Sequence, residues 1–340
     1  LVTHAGTEKA SRGGRTYLGL LLGTSIVCFL PAMIGTWATA GTLTFTEGGV
    51  FGDDITPVLL SLLLVLFVFG IGKAAVMPFH RWLPAAMVAP TPVSALLHAV
   101  AVVKAGVFAL VKVGVFIFGL DTLGSLPVTE WLLYLVAFGV LAASLVAMRQ
   151  DNLKARLAYS TISQLGYISL GVLLATSSGL LGSTLHIAMH AFGKITLFFC
   201  AGAILVASHK TEISDMRGLG RAMPLTMAAF FIASLSIIGL PPTGGSWSKW
   251  YLILGTLEAG QWLLMGVLMV SSLLNIAYLL PIPLKAFYPG NGADGAGREE
   301  AGGMREAPWP SLLAILVTTM MCVLLFFFPQ PLFDLARSIG

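Results

Sequence analysis

The 340-residue chain is 57% hydrophobic and only 10% charged, with a mean hydropathy of +0.90. Apolar runs of about 17 to 25 residues recur along its length, which excludes a water-soluble globular domain and specifies an all-α polytopic membrane protein. The net charge of +4 reports topology and not a nucleic-acid partner, because the basic residues collect in alternate loops.

About nine apolar segments follow in chain order: Tyr17 to Ala40, Thr56 to Met77, Pro92 to Phe118, Trp131 to Met148, Leu157 to Ala175, Leu180 to Ala207, Met223 to Glu258, Gln261 to Phe287, and Trp309 to Phe328. Their uniform apolarity suits membrane helices and not barrel strands. Residues 1–16 read as a cytoplasmic loop, 17–287 as the main membrane domain, 288–308 as a flexible Gly-rich cytoplasmic loop, and 309–340 as the last span and tail. The chain opens at Leu1 on a polar stretch without a signal peptide, and is expected to be the back part of a longer protein. Lys9, Arg12, Arg15, Arg81, Arg149, Lys154, Arg156, Lys210, Arg217, Arg221, Lys285, Arg298 and Arg305 fall on one side, whereas Glu47, Asp53, Asp54, Asp121, Glu130 and Glu258 fall on the other. Positive loops inside a cell inner (plasma) membrane put the start of the chain in the cytoplasm and its end outside.

Two spans carry interruptions that a regular helix does not accommodate. The second runs into Gly70, Gly72 and Pro78; the seventh carries Gly239-Leu240-Pro241-Pro242-Thr243-Gly244-Gly245. Unbroken, the seventh would exceed about 50 Å against a hydrocarbon core of roughly 30 Å. It either unwinds within the membrane or continues as a surface helix. The spacing of the interruptions, five spans apart, favours two discontinuous helices in units of opposite topology.

Ionisable residues inside the spans are the candidate functional groups, since a lysine at the centre of a bilayer costs about 2.5–3.5 kcal/mol on insertion scales. Lys104 lies near the middle of the third span, too deep to snorkel; a structural lysine and a station for protons are the readings, the second preferred. His98 sits about 120° around the helix from it, so water or the lysine stem must bridge them. Lys112 either snorkels or forms a next station. His186, His190 and Lys194 recur at i, i+4 and i+8 and share one stripe about 12 Å long. Three titratable groups in file favour proton conduction over a pair of zinc-clamping histidines, because no Asp, Glu or Cys completes a metal site nearby. Lys73, close to His80 and Arg81, reads equally as an anchor or a functional residue. Lys249 follows Ser246, which can cap a half-helix and put the amine in its first turn. Cys28, Cys200 and Cys322 have no metal or cluster spacing and read as packing residues; no cofactor is expected.

The stretch Gly72 to Pro84, then Ala89 to His98, together with Leu157 to Tyr167, His190 to Lys194, and Ile238-Gly239-Leu240-Pro241 through Ser248-Lys249-Trp250, resembles the antiporter-like membrane subunits shared by respiratory complex I and the multisubunit Mrp cation/proton antiporters. The resemblance covers nearly the whole chain. It implies a fourteen-helix fold of two inverted five-helix repeats, of which this chain would hold the last nine helices. It further implies that Lys73 is the lysine of the first broken helix, exchanging protons with the cytoplasmic side. His98 and Lys104 would belong to the connecting helix, His186, His190 and Lys194 to the central relay, and Lys249 to the second broken helix, nearest the exit.

The context Ser248-Lys249-Trp250-Tyr251 is more similar to the D-type subunit of Mrp antiporters than to the complex I subunit type that carries a glutamate there. The glutamate that the family pairs with the first lysine would precede the first span and has no counterpart here. Other membrane subunits, lipid, protons and Na+ or K+ are the expected partners. The alternatives are a proton-pumping subunit of an NADH-quinone oxidoreductase or hydrogenase-type complex, or a partner in solute uptake. A quinone- or haem-carrying redox subunit is the further alternative.

Overall fold

The computed structural model describes residues 2–4, 6–52, 54–288 and 306–339. Most of the Gly-rich loop expected over 288–308 lies outside them. Among the described residues the chain is helical, with one isolated antiparallel bridge between Asn152 and Glu212. The helices that matter for function are α1 (Glu8–Ala40), α2 (Pro57–Gly70), α3 (91–118), α4 (Pro127–Arg149), α5 (Leu153–Leu173), α6 (Ser177–Ser208), α7 (Pro224–Ile238), α8 (Gly245–Glu258), α9 (Trp262–Ala286), α10 (Trp309–Phe327) and the short α11 (Gln330–Arg337). Five of these, α1, α4, α6, α9 and α10, are long and apolar enough to cross a bilayer on length and composition alone.

α1 begins well before the first apolar run. Residues 8–15, read from the sequence as loop, are helical because the Thr7 side chain accepts from the Ala10 amide at 3.1 Å and Arg12 pairs with Glu8 at 2.7 Å, one turn apart. A π-helical turn, Ser25–Phe29, interrupts α1 just before Pro31, whose missing N–H cannot continue the α ladder.

Both expected interruptions are present. α2 stops at Gly70; a 3-10 turn, Gly72–Ala74, follows, then Ala75 at φ 54, Pro78, and a succession of short turns and the brief helix Trp82–Ala85. The break is held from two sides. Trp82 Nε1 donates at 2.9 Å to the Gly72 carbonyl, which also accepts from the Ala75 amide at 3.1 Å, and Gly70 lies so close to α1 that a Cβ there would collide with the Phe29 amide nitrogen.

The seventh segment divides into α7 and α8. Gly239 takes the left-handed conformation at φ +88 that ends α7, Pro241 and Pro242 lie in the exposed turn, and α8 starts at Gly245. α8 is not a surface helix: Ser248, Lys249, Leu252 and Thr256 are buried on it. Its approach to α6 depends on Gly182, where a Cβ would lie 2.7 Å from the Leu252 amide nitrogen.

α3 is bent at Ala101, after the π-helical turn Leu96–Val100 and three residues before Lys104. One large apolar core joins α2, α3, α4 and α5, and a second joins α5, α6, α7 and α9. α5 and α6 therefore form the centre of the bundle, and the polar residues on their facing sides are removed from lipid.

Candidate functional site: a buried line of amines, imidazoles and hydroxyls

Three lysines, Lys104 on α3, Lys194 on α6 and Lys249 on α8, are buried together with His186 and His190 of α6. Among the described residues their partners are amine, imidazole, hydroxyl, amide and backbone carbonyl groups, not carboxylates. Lys104 Nζ contacts His190 Nδ1 directly across the α3–α6 interface. The imidazoles of His190 and His186, one turn apart, stack with ring centres 5.7 Å apart, and His186 stacks in turn on Tyr167 of α5 at 5.8 Å. His186 Nδ1 lies 2.8 Å from Ser248 Oγ and its Nε2 lies 3.0 Å from Gln164 Oε1. Lys249, next to Ser248, donates to Ser272 Oγ of α9 at 3.0 Å and holds its ammonium nitrogen 4.6 Å from the centre of the Tyr167 ring. A line of contacts thus runs from Lys104 through His190 and His186 to Ser248, Tyr167 and Lys249.

Lys194 shares the stripe of the two histidines but not their contacts. Its Nζ donates to Ser160 Oγ at 2.7 Å and to the Leu157 carbonyl at 3.2 Å, both on α5. The i, i+4, i+8 spacing therefore sets the three groups on one face, whereas their side chains reach different neighbours: His190 toward α3, His186 toward α8 and α5, and Lys194 toward α5 alone. Ser246 also differs from its expected role: it lies inside α8 and donates to the Thr243 carbonyl at 2.7 Å, so Gly244, and not Ser246, occupies the cap position.

The remaining candidates lie apart from this line. Lys73 sits in the 3-10 turn of the first break, with an exposed side chain; its backbone packs against α3 so closely that a Cβ on Gly106 would collide with the Lys73 carbonyl carbon. His98 belongs to the π-helical turn before the bend, and its side chain is outside the described set. Lys112 is half-buried with its ammonium 4.3 Å from the Phe45 ring centre and 4.1 Å from that of Phe116, an aromatic seat near the end of α3.

Among the described residues, the ion pair observed is Arg12 with Glu8, far from the buried amines. Carboxylate partners would fix a buried ammonium as a permanent ion pair. Hydroxyls, carbonyls and imidazoles instead accept from a charged amine and can remain hydrogen-bonded to a neutral one. Three buried side-chain atoms on or beside the line have no hydrogen-bond partner among the described residues: His190 Nε2, Gln164 Nε2 and Asn275 Nδ2. Each is a polar group facing the same interior, the kind of position that buried water satisfies.

Several contributors have no role that their sequence positions alone would suggest: Ser160, Gln164 and Tyr167 on α5, and Ser271, Asn275 and Tyr278 on α9. Each trio recurs at i, i+4 and i+7 within an apolar helix, a polar stripe on one face of each. That periodicity is the signal by which they could be found.

A bundle with two interrupted helices and a file of amines and imidazoles between them defines an antiporter-like membrane subunit. The family described as NADH:quinone oxidoreductase/Mrp antiporter, TM matches residues 1–275, and the chain belongs to it. Among curated relatives, NADH-quinone oxidoreductase subunit N of Desulforudis audaxviator is 38% identical over 323 residues, 92% of this chain and 64% of the relative. The chain thus spans somewhat less than two thirds of that relative's length. Among solved structures, a chain of the Mrp complex from Dietzia sp. superposes with a TM-score of 0.84 at 23% identity, covering 98% of this chain and 68% of the other. A chain of the membrane-bound sulfane sulfur reductase, an archaeal respiratory membrane complex, gives the same TM-score of 0.84 at 26% identity, over 99% and 67% respectively.

Proposed function

We propose that this chain conducts protons along the buried line from Lys104 to Lys249, as part of a larger antiporter-like subunit in a multisubunit membrane complex. The observation that carries the reading is the partner set of the amines: Lys104 against His190, and Lys249 against Ser272 and Tyr167, with no carboxylate at either end among the described residues. A proton on Lys104 passes to His190. His186 relays it to Ser248 and the Lys249 region, with water joining the stacked imidazoles, and the arrival of charge at one end lowers the affinity for a proton at its neighbour. Lys73, His98 and Lys194 complete the proposed set: Lys73 exchanges protons on the cytoplasmic side, and His98 bridges toward Lys104. Residues 17–287 form the translocating domain, followed by the linker 288–308 and the last helix. The positive loops keep the start of the chain cytoplasmic and its end outside.

For the assembly, the reading is an Mrp-type monovalent cation/proton antiporter, on the similarity of the Ser248-Lys249-Trp250-Tyr251 context to the D-type member of Mrp complexes. A second reading, a proton-pumping subunit of a quinone-reducing complex, is favoured by the 38% identity to an NADH-quinone oxidoreductase subunit N.

The experiment uses inside-out membrane vesicles carrying the full complex and a pH-sensitive dye. Lys194→Ala and Lys249→Ala abolish proton movement while the complex assembles to wild-type levels; wild-type movement in both overturns the relay. Dependence of the wild-type signal on added Na+ or K+ supports the antiporter reading, and dependence on quinone reduction supports the second.

A further inference from the structure

One side of the half-helix α8 carries Lys249, and the other is held by α10 and α11. At 100° per residue, Trp247 lies about 200° around α8 from Lys249, and Tyr251, one turn on, shares its side. Trp247 Nε1 donates at 3.0 Å to the Phe326 carbonyl, one of the last four of α10, which have no partner within their own helix. The Gly244 amide, at the cap position of α8, donates to the Cys322 carbonyl at 2.8 Å, and a Cβ on Gly244 would lie 2.8 Å from Leu325 Cβ. The indole stacks on Phe326 with ring centres 5.9 Å apart, and Phe333 of α11 packs edge-on against Trp247 at 6.1 Å and Tyr251 at 5.3 Å.

We propose that α10 and α11 form a clasp that fixes the first turn of α8, with Trp247 as the positioning residue for Ser248 and Lys249. It rests on the proton-relay reading above. The far end of α8 has its own hold on α6, where a Cβ on Gly255 would lie 2.5 Å from the Gly179 amide nitrogen. α7 meets the first turn at Gly245, whose added Cβ would strike the Ser236 carbonyl. The chain that leads into α8, Leu240 to Pro242, is exposed, so the clasp supplies the hold that this turn does not. Ser248 Oγ lies 2.8 Å from His186 Nδ1, and Lys249 Nζ lies 3.0 Å from Ser272 Oγ. A tilt of the first turn displaces both groups together, and so lengthens two consecutive links of the line at once.

The rival account is that Trp247 is an interfacial anchor, as tryptophans at membrane surfaces commonly are. An anchor turns its N–H toward water and headgroups, whereas this N–H is committed to a carbonyl of a neighbouring helix, and the ring is covered by Phe326 and Phe333. Trp250, three residues on, is exposed and fits the anchor instead. α11 likewise presses inward: Phe333 and Ala336 are buried on it, while Gln330 and Asp334, paired at 2.8 Å, are exposed.

The test measures proton transport per assembled complex, across a range of pH, with the full complex in inside-out vesicles. Trp247→Phe keeps a ring but loses the N–H, and is expected to lower the rate about threefold to tenfold. Phe333→Ala lowers it by a similar factor, and Phe333→Leu recovers most of that loss. Both slow variants also shift the pH profile of transport, because Lys249 no longer keeps its contacts with Ser272 and Tyr167. Trp250→Phe retains the wild-type rate and profile. A rate that falls only in proportion to the amount of complex, an unchanged pH profile in Trp247→Phe and Phe333→Ala, or an equal loss in Trp250→Phe overturns the clasp. Lys249→Ala runs alongside: if it loses transport while the clasp variants keep the wild-type rate and profile, the clasp fails and the relay stands. Should Lys249→Ala keep transport, both fail.

Discussion

Gly239 sets the position of the Lys249 amine, and Gly239→Ala tests how closely conduction depends on it. The residue ends α7 at φ +88, a left-handed conformation that costs an alanine about 1–2 kcal/mol. Its new Cβ would lie 2.6 Å from Lys249 Cδ, where ordinary contact starts at 3.4 Å, so the lysine stem must give way by about 0.8 Å. A shift of that size carries Nζ away from Ser272 Oγ, now 3.0 Å distant, and out of hydrogen-bond range. Misplacement of a reacting group by about 1 Å costs up to roughly a hundredfold in rate. The expected result is a fall in proton transport of at least tenfold in vesicles, with the complex assembled. Gly218→Ala is the control, because Gly218 has φ +84 and nothing within 4 Å of an added Cβ. It carries the same backbone strain without touching a lysine, and its transport stays near wild type. If Gly239→Ala and Gly218→Ala behave alike, the amine's position is not what limits conduction.

Three further outcomes follow from single contacts. Glu306 caps α7, accepting from the Leu225 amide and the Thr226 hydroxyl at 2.6 Å each, so Glu306→Ala should cost about 1 kcal/mol of stability, read as a lower thermal midpoint in detergent. Trp82→Phe keeps an aromatic ring in a fully buried site but removes the Nε1 bond to the Gly72 carbonyl, which keeps its bond from the Ala75 amide; a loss of about 0.5–1.5 kcal/mol is expected, checked by the same thermal assay. Gln164→Leu removes the partner of His186 Nε2, leaving Ser248 on Nδ1 as its remaining hydrogen-bond partner, and should slow proton transport in vesicles without changing the level of complex; an unchanged rate removes Gln164 from the line.

The helices and their interruptions were legible in the sequence because lipid imposes long apolar runs and because Gly and Pro announce where a run cannot continue. The early start of α1 was hidden by its charge, since residues 8–15 look like loop until the Thr7 cap and the Glu8–Arg12 pair are considered together. Which ionisable residues lie inside was also legible, as lysines in apolar helices stand out. Their partners were not. Spacing on α6 put Lys194 in line with the two histidines, but a lysine stem spans several ångströms and its direction depends on the neighbouring helix, here the Ser160 hydroxyl and the Leu157 carbonyl. Ser160 and Tyr167 lie within the Leu157 to Tyr167 stretch that carries the resemblance, but serines and tyrosines are common in membrane helices, and only the i, i+4, i+7 recurrence on α5 and α9 distinguishes the polar stripe.

The two interrupted helices differ in what they do with their lysines, and the difference follows from local geometry. At the second break the chain turns and resumes directly as α8, so Lys249 is carried back into the bundle and buried against Tyr167 and Ser272. At the first break no such long half-helix resumes; short turns follow, and Gly72 and Ala74, on either side of Lys73, are buried while Lys73 itself points outward. Gly106 brings the Lys73 backbone against α3 only two residues beyond Lys104, so the two lysines occupy neighbouring stretches of backbone while their amines diverge. Rotation of the Lys73 side chain is the least costly motion that could bring the amines together, because the backbone there is clamped by Gly70, Gly106 and Trp82. Under the proposed relay, the exposed Lys73 amine on this clamped turn would be the entry point to the buried line.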